Sequence, residues 1–150
     1  MKNLKMYCIT VEANHLNFIR ELDYIPVGLG KNNFSSEWMT DNVGENISHK
    51  NKYYGEYTFH YWLWKNYIDK IDDGWIGFCQ YRKFWGLEKN NLMPKTLSQL
   101  KSLIIQDIPE SYDNFDVILG DEIFINNFKL MKFLKHGFKL LSKKSSSLFN

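Results

Sequence analysis

The chain has 150 residues, 44% hydrophobic and 24% charged, which fits one globular domain and argues against intrinsic disorder. The net charge is +2, and of nineteen Lys and Arg only Arg20 and Arg82 are arginine, so a nucleic-acid partner is not expected. Aromatic residues reach 17%, with eleven Phe, nine Tyr and five Trp, enough for a large buried core and for platforms on which sugars or bases stack.

Lys5 to Thr10 is apolar and β-favouring, and reads as a buried first strand rather than the core of a secretory signal. His15 to Leu22 carries apolar residues at helical spacing and predicts a short helix. Tyr24 to Gly30 is a second strand running into a glycine loop. Gly30 to Asn51 is polar and reads as one long loop, a length uncommon in a compact domain unless it has a function. Tyr53 to Asp69 is so aromatic on every side that it predicts a central helix with both Trp62 and Trp64 buried.

Asp72-Asp73-Gly74 is a turn, and Trp75 to Tyr81 the next strand. Lys95 to Ile105, after Pro94, predicts a helix, and Phe115 to Leu119 a short strand. Asn126 to Lys143 predicts a last helix with an apolar stripe through Leu130, Met131, Leu134, Phe138 and Leu141 opposite a lysine-rich face. That face suits either solvent or an anionic membrane surface, the latter giving peripheral membrane association. The alternation predicts an α/β fold: a single domain over 1–144, a mostly parallel sheet flanked by helices, and a flexible tail over 145–150. With Cys8 and Cys79 far apart, no zinc spacing and no stretch long enough to span a bilayer, a reducing cytoplasmic location is expected. The two cysteines read as small buried residues of adjacent strands.

Ligands of open α/β sheets lie beyond the carboxyl ends of strands. Three segments end predicted strands there: Gly28-Leu29-Gly30, Gln80-Tyr81-Arg82-Lys83 and Gly120-Asp121-Glu122. The first is no dinucleotide fingerprint, since Asn33 stands where a third glycine belongs. No P-loop, GxSxG or HExxH occurs. Asp41 to Asn51 offers Asp41, Asn42, Asn46, Ser48, Lys50 and Asn51 as hydrogen-bonding or phosphate-binding groups, or alternatively as caps and Asx-turns of an irregular backbone. Arg82, beside Lys83, can clamp a diphosphate through its planar fork, or else pair with Asp41 or Glu45. Glu56 and His60 share a helix face, and the carboxylate needs a partner, either His60 or Arg82. His15, His49, His60 and His136 are too scattered to define a metal site.

The blocks Asp41-Asn42-x-Gly44-x-Asn46-Ile47-Ser48-x-Lys50-Asn51, Tyr54-x-Glu56-x-Thr58-x-x-Tyr61-Trp62-x-Trp64-Lys65-Asn66 and Ile76-Gly77-x-Cys79-x-Tyr81-Arg82 carry a resemblance. Together they resemble a bacterial glycosyltransferase-like domain family of capsule, exopolysaccharide and lipopolysaccharide synthesis, domain of unknown function 4422. The family usually reads His-Tyr-Arg-Arg where this chain has Gln80-Tyr81-Arg82-Lys83, and a cysteine where it has Gly55. Its members continue further, so the chain is expected to be an N-terminal portion, the donor-binding part of the family domain.

The resemblance implies a GT-A-like, nucleotide-diphospho-sugar transferase-like fold, a nucleotide-sugar donor, and a glycan or lipid-linked acceptor. It implies substrate-binding roles for Asp41, Asn42, Asn46, Ser48, Lys50, Asn51, Glu56, Gln80, Tyr81, Arg82 and Lys83, with no catalytic residue assigned. Such folds commonly hold a divalent metal through Asp-x-Asp. None occurs here, and Tyr81-Arg82-Lys83 stands where it would fall, so no cofactor is assigned and a metal remains an open alternative. The competing expectations are a non-catalytic nucleotide- or carbohydrate-binding fragment, and a structural fragment that needs a partner chain.

Overall fold

The computed structural model describes residues 3–86 and 93–121. The chain divides into two compact units, Met1–Asp116 and Val117–Asn150; of the second, only residues 117–121 are described. The predicted last helix (126–143), the tail (145–150) and Glu122 lie outside the described residues.

The first unit is built on a parallel sheet of four strands: β1 (Leu4–Thr10), β2 (Ile25–Gly28), β3 (Met39–Thr40) and β4 (Trp75–Gln80), in the order β3-β2-β1-β4. β1 is central because Met6–Thr10 is buried on both faces, which its apolar run already demands. It pairs in parallel with β2 (Tyr7 beside Ile25) and with β4 (Cys8 beside Cys79), so the two cysteines are free, buried neighbours across the ladder. A hydrogen bond between their thiols, and burial, push the Cys79 thiol far above its ordinary pKa. β3, two residues within the predicted long loop, is too short to leave a period-2 signal.

A 3₁₀ turn (Ala13–His15) leads into α1 (Leu16–Glu21), which buries Ile19 and ends where Asp23 takes a left-handed φ of 59°. The aromatic segment is not one central helix. It is α2 (Asn51–Tyr54), a break at Gly55 (φ 55°), then α3 (Tyr57–Asn66) and a 3₁₀ turn (Ile68–Lys70). α3 buries Thr58, Phe59, Trp62 and Leu63, with Phe59, Trp62 and Leu63 in one core with Tyr7, Ile9, Val27 and Leu29 of the sheet layer. Its other face is open: Trp64 is 58% exposed and Tyr57 is exposed too, whereas Trp62 is buried. The expectation that both tryptophans are buried therefore fails for Trp64, because a helix lying on one sheet face has only one face to bury.

After β4, the Trp85 indole donates to the Phe78 carbonyl at 2.7 Å, and the Ile105 amide donates to the Trp85 carbonyl at 2.8 Å. α4 (Leu97–Leu103) starts at Thr96, whose hydroxyl accepts from the Gln99 amide at 3.2 Å, while the Gln99 side chain accepts from the Lys95 amide at 2.8 Å. The strand expected over Phe115–Leu119 does not form: the segment is irregular, and Phe115, Val117 and Leu119 are exposed. β propensity needs a ladder partner, and among the described residues this segment has none.

Candidate functional site

Because all four strands run the same way, Thr10, Gly28, Thr40 and Gln80 end at one edge of the sheet. From β1 the chain crosses to β2 on one side, and β4 later joins on the other, so the order reverses between β1 and β4. Open α/β sheets leave their crevice at such a point. A cavity of about 200 Å³ lies there, lined by Thr10 and Val11 at the end of β1, Leu29 after β2, Gln80 and Tyr81 at the end of β4, and Asn51 and Glu56 from the helical layer.

Glu56 enters at the start of α3, where the helix dipole favours a carboxylate. Its partner is neither His60 nor Arg82, the two candidates read from sequence: the Gln80 amide donates to Glu56 Oε2 at 2.6 Å. Gln80 is the nearer donor because it ends β4 directly against the start of α3. Beyond it the chain turns tightly. The Lys83 amide donates to the Gln80 carbonyl at 2.9 Å and the Gln80 amide to the Lys83 carbonyl at 3.3 Å, which puts Tyr81 and Arg82 at the tip. Tyr81 stacks on His15 at 4.1 Å between ring centroids, and His15 Nδ1 lies 2.9 Å from the Thr10 hydroxyl. The Arg82 guanidinium lies over the Tyr81 ring at 5.1 Å, is exposed, and makes no ion pair among the described residues. Pairing of Arg82 with Asp41 or Glu45 is thus not what forms, since Glu45 instead meets Lys65 at 3.7 Å and accepts from the Tyr61 hydroxyl at 2.7 Å.

The segment from Asp41 to Asn51 is clamped onto α3. Trp62 Nε1 donates to the Val43 carbonyl at 2.7 Å, while Asn66 accepts from the Glu45 amide at 3.1 Å and donates to the Glu45 carbonyl at 2.8 Å. Asn46 donates to the Gly44 carbonyl and accepts from the backbone and hydroxyl of Ser48. Asn51 donates to the Gly55 carbonyl at 2.9 Å and to the Thr58 hydroxyl at 3.2 Å. Lys50 is exposed.

The site residues read from sequence therefore separate. Asn51, Glu56, Gln80 and Tyr81 line the first cavity, with Arg82 and Lys83 on the turn beside it. Asn46 and Ser48 spend their hydrogen bonds within the loop. Asp41 and Asn42 line a second cavity, of about 400 Å³, at the ends of β2 and β3. Asp121 is exposed on irregular chain.

The family model for a domain of unknown function (DUF4422) matches residues 5–144. The chain belongs to this family. No curated protein and no solved structure matches it. Several DUF4422-like motif residues, Gly44, Asn46, Trp62 and Asn66 among them, build the clamp between loop and helix, and Glu56, Gln80 and Tyr81 reach the cavity.

Sequence reading missed Thr10 and His15, although the strand-end rule applied to β1 points at Thr10. It also missed Asn32, Asn33 and Thr40, which line the second cavity, because they sit around a strand that leaves no pattern. Among the described residues no three His, Cys, Asp or Glu side chains come together to hold a metal ion. No helix among the described residues is long and apolar enough to cross a membrane.

Proposed function

We propose that the chain is a sugar-nucleotide-dependent glycosyltransferase domain, or the donor-binding half of one, acting in synthesis of surface polysaccharide or lipopolysaccharide. The observation that carries the reading is a cavity at the order reversal of a parallel sheet, with an exposed arginine on the turn beside it that makes no ion pair among the described residues. The donor lies over the ends of β1 and β4. Its diphosphate sits toward Arg82 and Lys83, where fixed cations offset the charge that grows on the leaving group. Glu56 repels phosphate and faces hydroxyl groups of the sugar or acceptor, with Gln80 holding the carboxylate in place. The acceptor is a glycan or lipid-linked glycan met at the cytoplasmic face of the membrane.

A second reading has an observation of its own: the cavity lining itself contains no Lys, Arg or His. That favours a carbohydrate- or nucleotide-binding module without turnover. A panel of nucleoside diphosphate sugars, followed by thermal shift and by release of free nucleoside diphosphate, separates the two. Donor binding with transfer or hydrolysis supports the enzyme; binding without turnover supports the module; no binding of any donor overturns the enzyme and the nucleotide-binding form of the module.

A further inference from the structure

The outward side of α3 is not built like the solvated face of a surface helix. Phe59, Trp62 and Leu63 pack into the core with the sheet, and Tyr57, Tyr61 and Trp64, spaced four and three apart, fall on the opposite side. Tyr57 is 65% exposed and Trp64 58%, with Tyr61 half-buried and its ring centroid 5.9 Å from that of Trp64. α2, just before, adds exposed Tyr53 and Tyr54. Single exposed rings need no explanation, but a row of them marks a contact surface. Every large exposed hydrophobic residue of α2 and α3 is Tyr or Trp, a ring with a polar atom at one end.

The charges around these rings select the occupant. Lys50, Lys52 and Lys65 are exposed; Lys52 Nζ lies 5.6 Å from the Tyr53 ring centroid and Lys65 Nζ 4.0 Å from that of Trp64. Two carboxylates come near. Glu56 is turned into the first cavity toward Gln80, and Glu45 pairs with Lys65 and accepts from the Tyr61 hydroxyl. Three lysines against one outward carboxylate leave the face positive. A second copy seated on it would set lysines against lysines, and the cores of protein interfaces are poor in Lys. A neutral glycan would gain nothing from the lysines. A bilayer surface with anionic headgroups takes both parts: Tyr and Trp rings settle at headgroup depth with their polar ends toward water, and each Lys gains from the negative surface potential.

We infer that the outward face of α2 and α3 docks this domain on an anionic membrane surface, with Tyr57 and Trp64 entering the headgroup layer and Lys50, Lys52 and Lys65 facing the lipid phosphates. The mode is docking rather than spanning, in keeping with described helices too short to cross a bilayer. The inference goes beyond the activity proposed above and does not depend on it, because it stands on the rings and charges of α2 and α3 alone.

The test is co-sedimentation of the full chain with vesicles of phosphatidylcholine, alone or mixed with phosphatidylglycerol. The variants are Lys52→Glu, Trp64→Phe, and Tyr57→Ala combined with Trp64→Ala; all three positions are exposed, so the fold survives the changes. The wild type binds the anionic vesicles, more weakly as salt rises, and binds phosphatidylcholine alone poorly. Lys52→Glu weakens binding to anionic vesicles by about tenfold or more, and the double alanine variant by about fivefold or more. Trp64 alone of the five tryptophans is exposed, so brominated lipid quenches wild-type emission, and Trp64→Phe largely removes that quenching while still binding. The inference is overturned if anionic vesicles do not bind the wild type, or if they bind it and the double alanine variant equally, which moves the contact to another part of the chain such as 126–143. A dimer that the double variant dissolves, without lipid binding, also overturns it and makes a second copy the occupant.

Discussion

Gln80 donates to Glu56 at 2.6 Å in the lining of the cavity, tying the end of strand β4 to the start of α3. The bond is partly buried and one partner is charged, which places it among the stronger side-chain hydrogen bonds. Truncating either residue to alanine should cost about 1–2 kcal/mol, and the two losses should not add. A double-mutant cycle by urea unfolding measures the coupling. A coupling near zero would show that the two side chains stand together without supporting each other.

Trp62 and Trp64 lie two residues apart on α3 and face opposite environments. Trp62 packs on Phe59 and donates to the Val43 carbonyl, while Trp64 is open and covered in part by the Lys65 ammonium at 4.0 Å. Trp62→Ala should lose about 3–5 kcal/mol, whereas Trp64→Ala should lose no more than about 1 kcal/mol. Chemical denaturation of the two variants checks the difference. Equal losses would contradict the single buried face.

Much of this contrast was hidden from the sequence. Of the eleven residues from Tyr57 to Tyr67 seven are aromatic or aliphatic and they fall on all sides of a helix, so periodicity cannot choose a face. The strands β1 and β4 were legible because their apolar runs are bounded by polar and glycine residues. β3 was not, because its residues are specified by pairing with β2 rather than by pattern. Of the candidate site, the strand-end positions Gln80 to Lys83 were readable from topology alone. Asp41 was readable as a candidate, but the burial of its Oδ2 without a hydrogen-bond partner among the described residues belongs to the tertiary structure.

Gly44 has a φ of 63°, and a Cβ there would come 2.3 Å from Asn66 Oδ1, the atom that accepts from the Glu45 amide. Gly44→Ala should therefore both strain the backbone and spoil the clamp, for a loss of at least about 1–2 kcal/mol. Thermal unfolding reads the change. An unaltered melting temperature would mean that the clamp adds nothing to stability.

His60 lies against Phe78 at 4.2 Å between ring centroids, and burial lowers its pKa below the ordinary 6.5, with Glu56 pulling in the opposite direction. The unfolded chain takes up a proton here near pH 6.5 that the folded chain resists. The stability tied to the neutral ring is thus fully present above that pH and is lost as the pH falls toward the lower folded value. His60→Phe should flatten the fall in stability between about pH 7 and pH 5 relative to the wild type. Parallel slopes for the two proteins would show that the ring titrates alike in both states.

The measurement closest to the central claim is calorimetric binding of nucleoside diphosphate sugars to the wild type, Arg82→Ala and Arg82→Lys. Arg82 stands exposed over Tyr81, so its loss should leave stability within about 0.5 kcal/mol. The account predicts that at least one donor binds the wild type and that Arg82→Ala weakens it by about ten- to a hundredfold. Arg82→Lys should recover only part, because a point charge lacks the two parallel donors of the fork. Donor affinity that is identical in the wild type and Arg82→Ala would contradict the claim and move the diphosphate away from the end of β4.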